Sequence, residues 1–150
     1  MRLVIQRSKK ASVTVDEKIV GKIDHGLTIL VGFTDGDDIE DINYLVDKVI
    51  NLRIFDDEDG VMNRSLLDVG GAILSISQFT LYADTKKGRR PSYIQALKGS
   101  EATKLYDIWN EELKRQGIIV ETGIFGAEML VSIENDGPIT IVMESREKHV

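Results

Sequence analysis

The sequence predicts a mixed α+β fold in a single domain, a large mixed sheet with two main helices packed on it. Three observations carry this. Short apolar or alternating segments separated by polar turns fill the opening and the close of the chain. Two segments, 39–50 and 100–113, carry apolar residues at helical spacing behind capping residues. The 150 residues contain no internal repeat, low-complexity tract or Pro/Ser-rich linker, and a length of roughly 100–150 residues is the commonest domain size. One domain, 1–150, follows. A chain this long buries roughly 70% of its unfolded surface, enough for a core without disulfides or metal.

In order, Leu3–Ile5 and Ala11–Val15 read as strands; in the second, Ala11, Val13 and Val15 share one face and Ser12 and Thr14 the other. Asp16-Glu17-Lys18 turns the chain into Ile19–Ile23, and Asp24-His25-Gly26 turns it again into Leu27–Phe33, an antiparallel meander. Asp37 or Asp38 caps a helix whose apolar residues are Ile39, Ile42, Leu45, Val46, Val49 and Ile50, with acidic residues in the first turn to suit the helix dipole. Arg53–Phe55 reads as a short strand ended by Asp56-Asp57-Glu58-Asp59-Gly60. Gly70-Gly71 reads as a plain turn before Ala72–Phe79, which is apolar enough for a buried central strand. Asp84–Ser92 is a polar, basic loop. Ser100-Glu101-Ala102-Thr103 opens a second helix with Leu105, Tyr106, Ile108, Trp109 and Leu113 inside, and Gly117 ends it. Ile118–Glu121, Met129–Asn135 and Ile139–Glu144 are the closing strands, the last two joined as a hairpin across Asn135-Asp136-Gly137-Pro138.

Composition removes several chemistries. With no cysteine there is no disulfide framework, thiolate nucleophile or cysteine-ligated metal, which fits a reducing compartment. Of the two histidines, His149 is penultimate and His25 sits in an Asp-His-Gly turn, so a histidine general base is not expected. The acidic run 56–59 lacks the alternating ligand spacing of a calcium loop, and neither a Walker nor a dinucleotide glycine pattern is present. No cofactor or metal is expected. The start of the chain lacks the apolar run of a secretory signal, and no run approaches ~18 apolar residues, so neither export nor a membrane is expected.

The net charge of −6 is unevenly spread. From Asp35 to Asp59 there are ten acidic residues against Lys48 and Arg53, so that segment carries −8 and the rest of the chain +2. Basic clusters stand at Arg7, Lys9, Lys10 and at Lys86, Lys87, Arg89, Arg90. Such clusters are either solvated loops or local phosphate contacts; the acidic balance argues against wholesale nucleic-acid coating, and no DNA partner is expected.

Two segments concentrate the remaining chemistry. Ser77-Gln78-Phe79-Thr80-Leu81 ends the buried strand, where hydroxyls, an amide and free backbone N–H groups either line a site or are satisfied locally. Asn135-Asp136-Gly137-Pro138-Ile139-Thr140 places a proline directly after a turn glycine, removing a donor at the start of a strand. Its Gly-Pro bond is a candidate for cis geometry, although most X–Pro bonds are trans.

At these segments the chain resembles the D-aminoacyl-tRNA deacylases, first described as D-tyrosyl-tRNA deacylases. The paired signatures stand as Ser75-Ile76-Ser77-Gln78-Phe79-Thr80-Leu81 and Asn135-Asp136-Gly137-Pro138-Ile139-Thr140. Similar stretches run along the chain at Ala11–Val15, Asn51–Phe55, Leu67–Gly71, Tyr82–Thr85 and Gly123–Met129. Ile139 replaces the usual Val or Phe, and Arg64 and Tyr93 also depart from the common pattern.

The resemblance implies a largely antiparallel sheet or partial barrel in an α/β/β layering, and a cytoplasmic homodimer acting on tRNA. The reaction it implies is hydrolysis of the ester between a D-amino acid, or glycine mischarged on alanine tRNA, and the terminal adenosine. It implies that a cis Gly137-Pro138 reaches into the partner's site and excludes L side chains, with Arg7 fixing the motif. It places backbone N–H groups around Ser77, Gln78, Phe79 and Thr80 at the oxyanion, with Thr80 positioning and the ribose 2′-hydroxyl activating water. Phe125 and Met129 pack around the terminal adenine or in the core, and Lys86, Lys87, Arg89 and Arg90 meet acceptor-stem phosphates. Two other readings stand beside this one: a small-molecule esterase using Ser77 or Thr80, and a non-catalytic RNA-binding dimer.

Overall fold

A long hairpin organises the molecule. The computed structural model describes residues 1–146; His149 lies outside them. In chain order the elements are β1 (Arg2–Val15), β2 (Lys18–Ile23), β3 (Gly26–Gly32), α1 (Ile39–Asn51), β4 (Phe55–Asp56), β5 (Met62–Arg64), α2 (Leu66–Val69), β6 (Ala72–Ser77), a 3₁₀ turn (Phe79–Tyr82), α3 (Gly99–Arg115), β7 (Val120–Thr122) and β8 (Leu130–Glu144).

The two short strands expected at 3–5 and 11–15 are one strand, β1. Its partner is equally continuous: Ala11 pairs Ile23 and Ser8 pairs Gly26, a three-residue step on both sides, so β2 and β3 run in line along one edge of β1. Asp24-His25 is therefore a kink and not the reversal a meander requires. The other edge of β1 is covered along its length by β8, from Thr14↔Leu130 to Arg2↔Glu144. The hairpin expected across Asn135–Pro138 is absent, because the residues on both sides of it pair with the same strand in the same direction. Sequence alone does not reveal this, since a turn signal inside a strand reads like a turn between strands.

Parallel pairing of β3 with β6 and of β6 with β7 extends the sheet, and the Lys22 N–H donates to Glu121 Oε1 (3.4 Å) where β2 approaches β7. The sheet is thus a nearly closed barrel. Strand β6 is apolar on both faces for a physical reason. Ile73 faces the helices together with Leu3, Ile5 and Trp109, whereas Leu74 and Ile76 face Ala11, Val13 and Ile23 from the far half of the hairpin. Helices, sheet and folded-over hairpin make the α/β/β layering.

Helix α1 starts at a capping box in which Asp38 and Asp41 accept from each other's backbone N–H. Ile42, Leu45, Val46, Val49 and Ile50 are buried as the periodicity requires, but Ile39 is half-exposed on the outer side. Gly70, in the left-handed region (φ 64°), ends α2, a short helix with its own Ser65–Asp68 capping box where the sequence suggests only a glycine turn. Asp57 of the acidic run is capping material too: it accepts from the Asp59 and Val61 N–H groups and turns β4 into β5. Those N–H bonds, Val61's first, hold its carboxyl below the usual range.

Candidate active site

The end of β6 is held from below, from the side and from above. Tyr106 Oη donates to the Ser75 carbonyl (2.7 Å), and Trp109 Nε1 donates to Ser75 Oγ (3.2 Å), both from the buried face of α3. The Gln78 N–H donates to the Val31 carbonyl (2.7 Å), the last rung of the β3 ladder, after which the chain enters the 3₁₀ turn. This turn lies so close to β3 that a Cβ on Gly32 would sit 2.9 Å from the Gln78 carbonyl oxygen. Arg2 clamps it from the other side, donating to the Leu81 carbonyl (2.5 Å), pairing with Glu144 and lying over the Tyr82 ring.

The clamped turn presents backbone donors. The first donor satisfied within it is the Leu81 N–H, on the Gln78 carbonyl (3.3 Å). The N–H groups of Phe79 and Thr80 come before it and have no acceptor inside the turn. Beside them lies a cavity of about 240 Å³, mostly apolar, with Ser77, Gln78 and Phe79 on one wall and Phe125 and Met129 on another.

A side-chain base is not at hand. Thr80 Oγ1 accepts from Gln78 Nε2 (2.5 Å), and among the described residues no histidine, lysine or carboxylate bonds to it. Burial pushes the phenols of Tyr82 and Tyr106 well above their ordinary value, so neither is ionised near neutral pH. His25 is exposed against the Phe55 ring and lies in a second cavity, with Arg7, Asp56 and Asp136. No described group of three or more His, Cys, Asp or Glu is arranged to hold a metal.

The second signature is a bulge. Between Ala11↔Ile133 and Gln6↔Thr140, β8 carries two more residues than β1, and the excess is pushed outward as Asp136-Gly137-Pro138. Its base is stapled: Asn135 Nδ2 and Gln6 Nε2 both donate to Thr140 Oγ1 (3.0 and 3.2 Å), and Asn135 Oδ1 accepts from the Ile139 N–H (3.3 Å). Gly137 has φ 122°, where a Cβ would also meet Ile139 Cγ1 at 2.8 Å. The Gly137–Pro138 bond is cis, and both residues are exposed.

Arg7 anchors the bulge indirectly. Its buried guanidinium donates to the Ile54 carbonyl (2.9 Å) and to Asp56 (3.4 Å), while Nε lies 3.3 Å from Asp136 Oδ2, an ion pair off hydrogen-bond geometry. It therefore grips the residue before Gly137 and ties it to β4.

The structure brings Ser77, Gln78, Phe79, Phe125 and Met129 to one cavity, with Thr80 beside it, and leaves Gly137, Pro138 and Arg7 elsewhere. The cavity's Val31 pairs with Leu3, whereas the bulge lies opposite Gln6–Ser8. Three or more strand residues, on the order of 10 Å, separate them along β1. The Arg7, Lys9, Lys10 cluster is split, with Arg7 buried and both lysines exposed. Lys86, Lys87, Arg89 and Arg90 are all exposed on a loop closed by paired Asp84–Ser92 backbone bonds, and none of them is in an ion pair with a described residue. Arg2, Gly32 and Leu97 are not legible in the sequence as site residues, because only the folded strand order brings them to the turn and the cavity.

A nearly closed barrel backed by helices, with a cavity at the end of its buried strand, is the fold of the tRNA deacylases. A solved structure described as a probable eukaryotic D-amino acid tRNA deacylase shares it, with TM-score 0.82 and 20% identity over 95% of this chain and 98% of that one. The family itself follows from sequence: the chain belongs to the D-Tyr-tRNA(Tyr) deacylase family, whose model matches residues 4–144, and the family is one of hydrolases. D-aminoacyl-tRNA deacylases of Bacillus cereus (strain ATCC 14579) and Bacillus cytotoxicus are 60% and 59% identical over 97% of this chain and 100% of their own length. A structure named c-Myc DNA Unwinding Element Binding Protein superposes with TM-score 0.90 at 37% identity, covering 96% of this chain and 98% of that one.

Proposed function

We propose that the chain hydrolyses the ester of D-aminoacyl-tRNA, and of glycyl-tRNA mischarged on alanine tRNA, as a cytoplasmic homodimer without cofactor. The observation that carries the mechanism is the pairing of Phe79 and Thr80 N–H groups that have no acceptor inside the turn with a Thr80 hydroxyl to which, among the described residues, no base bonds. A nucleophilic threonine needs such a base; an oxyanion needs only the donors. Water therefore adds to the ester carbonyl with help from the neighbouring ribose 2′-hydroxyl, the oxyanion rests on the backbone, and the 3′-oxygen leaves with a proton. Phe125 and Met129 flank the terminal adenine.

Chirality is assigned to the bulge. Standing exposed and away from its own cavity, Gly137-Pro138 serves the cavity of a second copy. A cavity below the roughly 300–1,000 Å³ usual for ligand sites suits one that a partner completes. An L side chain collides with the motif, and a D side chain or none points away, which is selection by exclusion.

Deacylation of matched D- and L-aminoacyl-tRNA, with a 2′-deoxy terminal adenosine as control, tests this reading. Turnover of D and glycyl substrates, sparing of L, and a large loss on the 2′-deoxy substrate are expected. Turnover of simple esters lacking a ribose favours the esterase, and tRNA binding without turnover favours a binding module. The name of the 37%-identical structure makes DNA a useful competitor; DNA that binds as tightly as tRNA would overturn the assignment of partner.

A further inference from the structure

The 3₁₀ turn carries Phe79 past the cavity mouth to the surface, where the residue is 44% exposed. Its ring meets Tyr93 edge-on, centroids 5.2 Å apart at 76°. Lys98 Nζ stands 5.2 Å from the Phe79 ring and 5.6 Å from the Tyr93 ring. The 3₁₀ turn and the stretch leading into α3 contribute these side chains, and Ile94, 92% exposed, follows Tyr93 in sequence. Exposed cation–π contacts are worth only about 0.5–1 kcal/mol, so stability alone is a weak reason for displaying two rings and an ammonium here.

Position supplies a better one. Phe79 and Leu97 line the cavity, and Leu97 adjoins Lys98. On the other side, Tyr93 directly follows Ser92, whose backbone closes the basic loop 84–92. Cavity and aromatic pair therefore adjoin through Phe79, and the basic loop runs directly into Tyr93. We propose that Phe79, Tyr93 and Lys98 form a stacking platform for the single-stranded nucleotide that precedes the terminal adenosine, its base on Tyr93 and its phosphate at Lys98. This rests on the deacylase reading and extends it to a second nucleotide. Stacking and a point charge read no base edges, as suits an enzyme serving tRNAs of different sequence.

The test compares full D-aminoacyl-tRNA with a D-aminoacyl-adenosine, which lacks the preceding nucleotide. In the Tyr93→Leu variant, kcat/KM on tRNA falls about tenfold more than on the adenosine ester, mainly through KM, and Tyr93→Phe restores it. Equal losses on both substrates would show that Tyr93 merely supports Phe79 and would overturn the platform, as would no loss on either. Binding of uncharged tRNA, intact or cut back by its last nucleotides, separates this idea from the reaction itself. Even if wild-type protein hydrolyses neither ester, Tyr93→Leu must weaken binding of intact tRNA more than of the shortened form; equal effects sink the proposal.

Discussion

The strand end at Ser77–Thr80 and the bulge at Asn135–Thr140 are built on opposite principles. At the strand end the backbone is clamped by hydrogen bonds at Val31, Leu81 and Ser75 and opens onto an apolar cavity. The bulge stands in solvent, and its order comes from polar side chains at its base and from Arg7 behind it. One region offers shelter and hydrogen-bond donors, and the other offers a shaped surface with almost no side chain. Neither is a complete site. The two halves stand about 10 Å apart along one strand, and under the proposed function they come together where two copies of the chain face each other.

The sharpest way to break that comparison is Gly137→Ala. The new methyl group meets Ile139 at a φ that L residues rarely adopt, so the bulge must move. A misplacement of about 1 Å is worth roughly 100-fold in rate, and the D-over-L deacylation ratio should fall by about that much. Unchanged rate and chirality would remove the bulge from the site.

Arg7→Ala acts on the same region one step back. It leaves the Ile54 carbonyl without its donor and releases Asp136. With both aspartates partly exposed, the loss of stability should be modest, about 1–3 kcal/mol in urea unfolding, accompanied by a partial loss of chiral discrimination. Full retention of selectivity in the folded variant would show that the staple at Asn135 and Thr140 suffices.

Thr80→Ala probes the strand end and should cost less than tenfold in kcat, since losses of about 10²–10⁴ attend removal of true acid–base groups. A near-complete loss with an intact fold, seen by circular dichroism alongside single-turnover kinetics, would make Thr80 the nucleophile and refute RNA-assisted catalysis. The smallest effect belongs to the basic loop. Neutralising Lys86 and Lys87 should flatten the dependence of tRNA affinity on log salt by about 0.7–0.9 for each phosphate that goes unneutralised. An unchanged slope places that loop off the RNA.

Much of this is legible in the residues. The periodicity of 39–50 and of 105–113 marks helices because burial on one face leaves a repeat no strand produces. The double-sided apolar run 72–77 announces a buried strand, since a strand covered on both faces needs apolar residues at successive positions. The cavity residues Ser77, Gln78 and Phe79 are legible as polar and aromatic groups at that strand's end. Strand continuity is not. Lys9-Lys10 and Asn135–Pro138 interrupt the apolar pattern of β1 and β8 whether the chain reverses there or bulges, because local residue chemistry is the same in both cases.

By itself, then, the sequence determined the two long helices, the strand character of the apolar segments and the absence of a cysteine or well-placed histidine from the chemistry, since these follow from composition and from periods of two and 3.6 residues. Tertiary structure alone decided that Asp24-His25 is a kink, that Gly137-Pro138 projects from an unbroken strand, and that Arg2, Gly32, Tyr93 and Lys98 gather around the turn that carries Phe79. Those outcomes depend on which strand edges pair, from Ala11 with Ile23 to Arg2 with Glu144, and hydrogen bonds between backbones carry no trace of their partner in the local sequence.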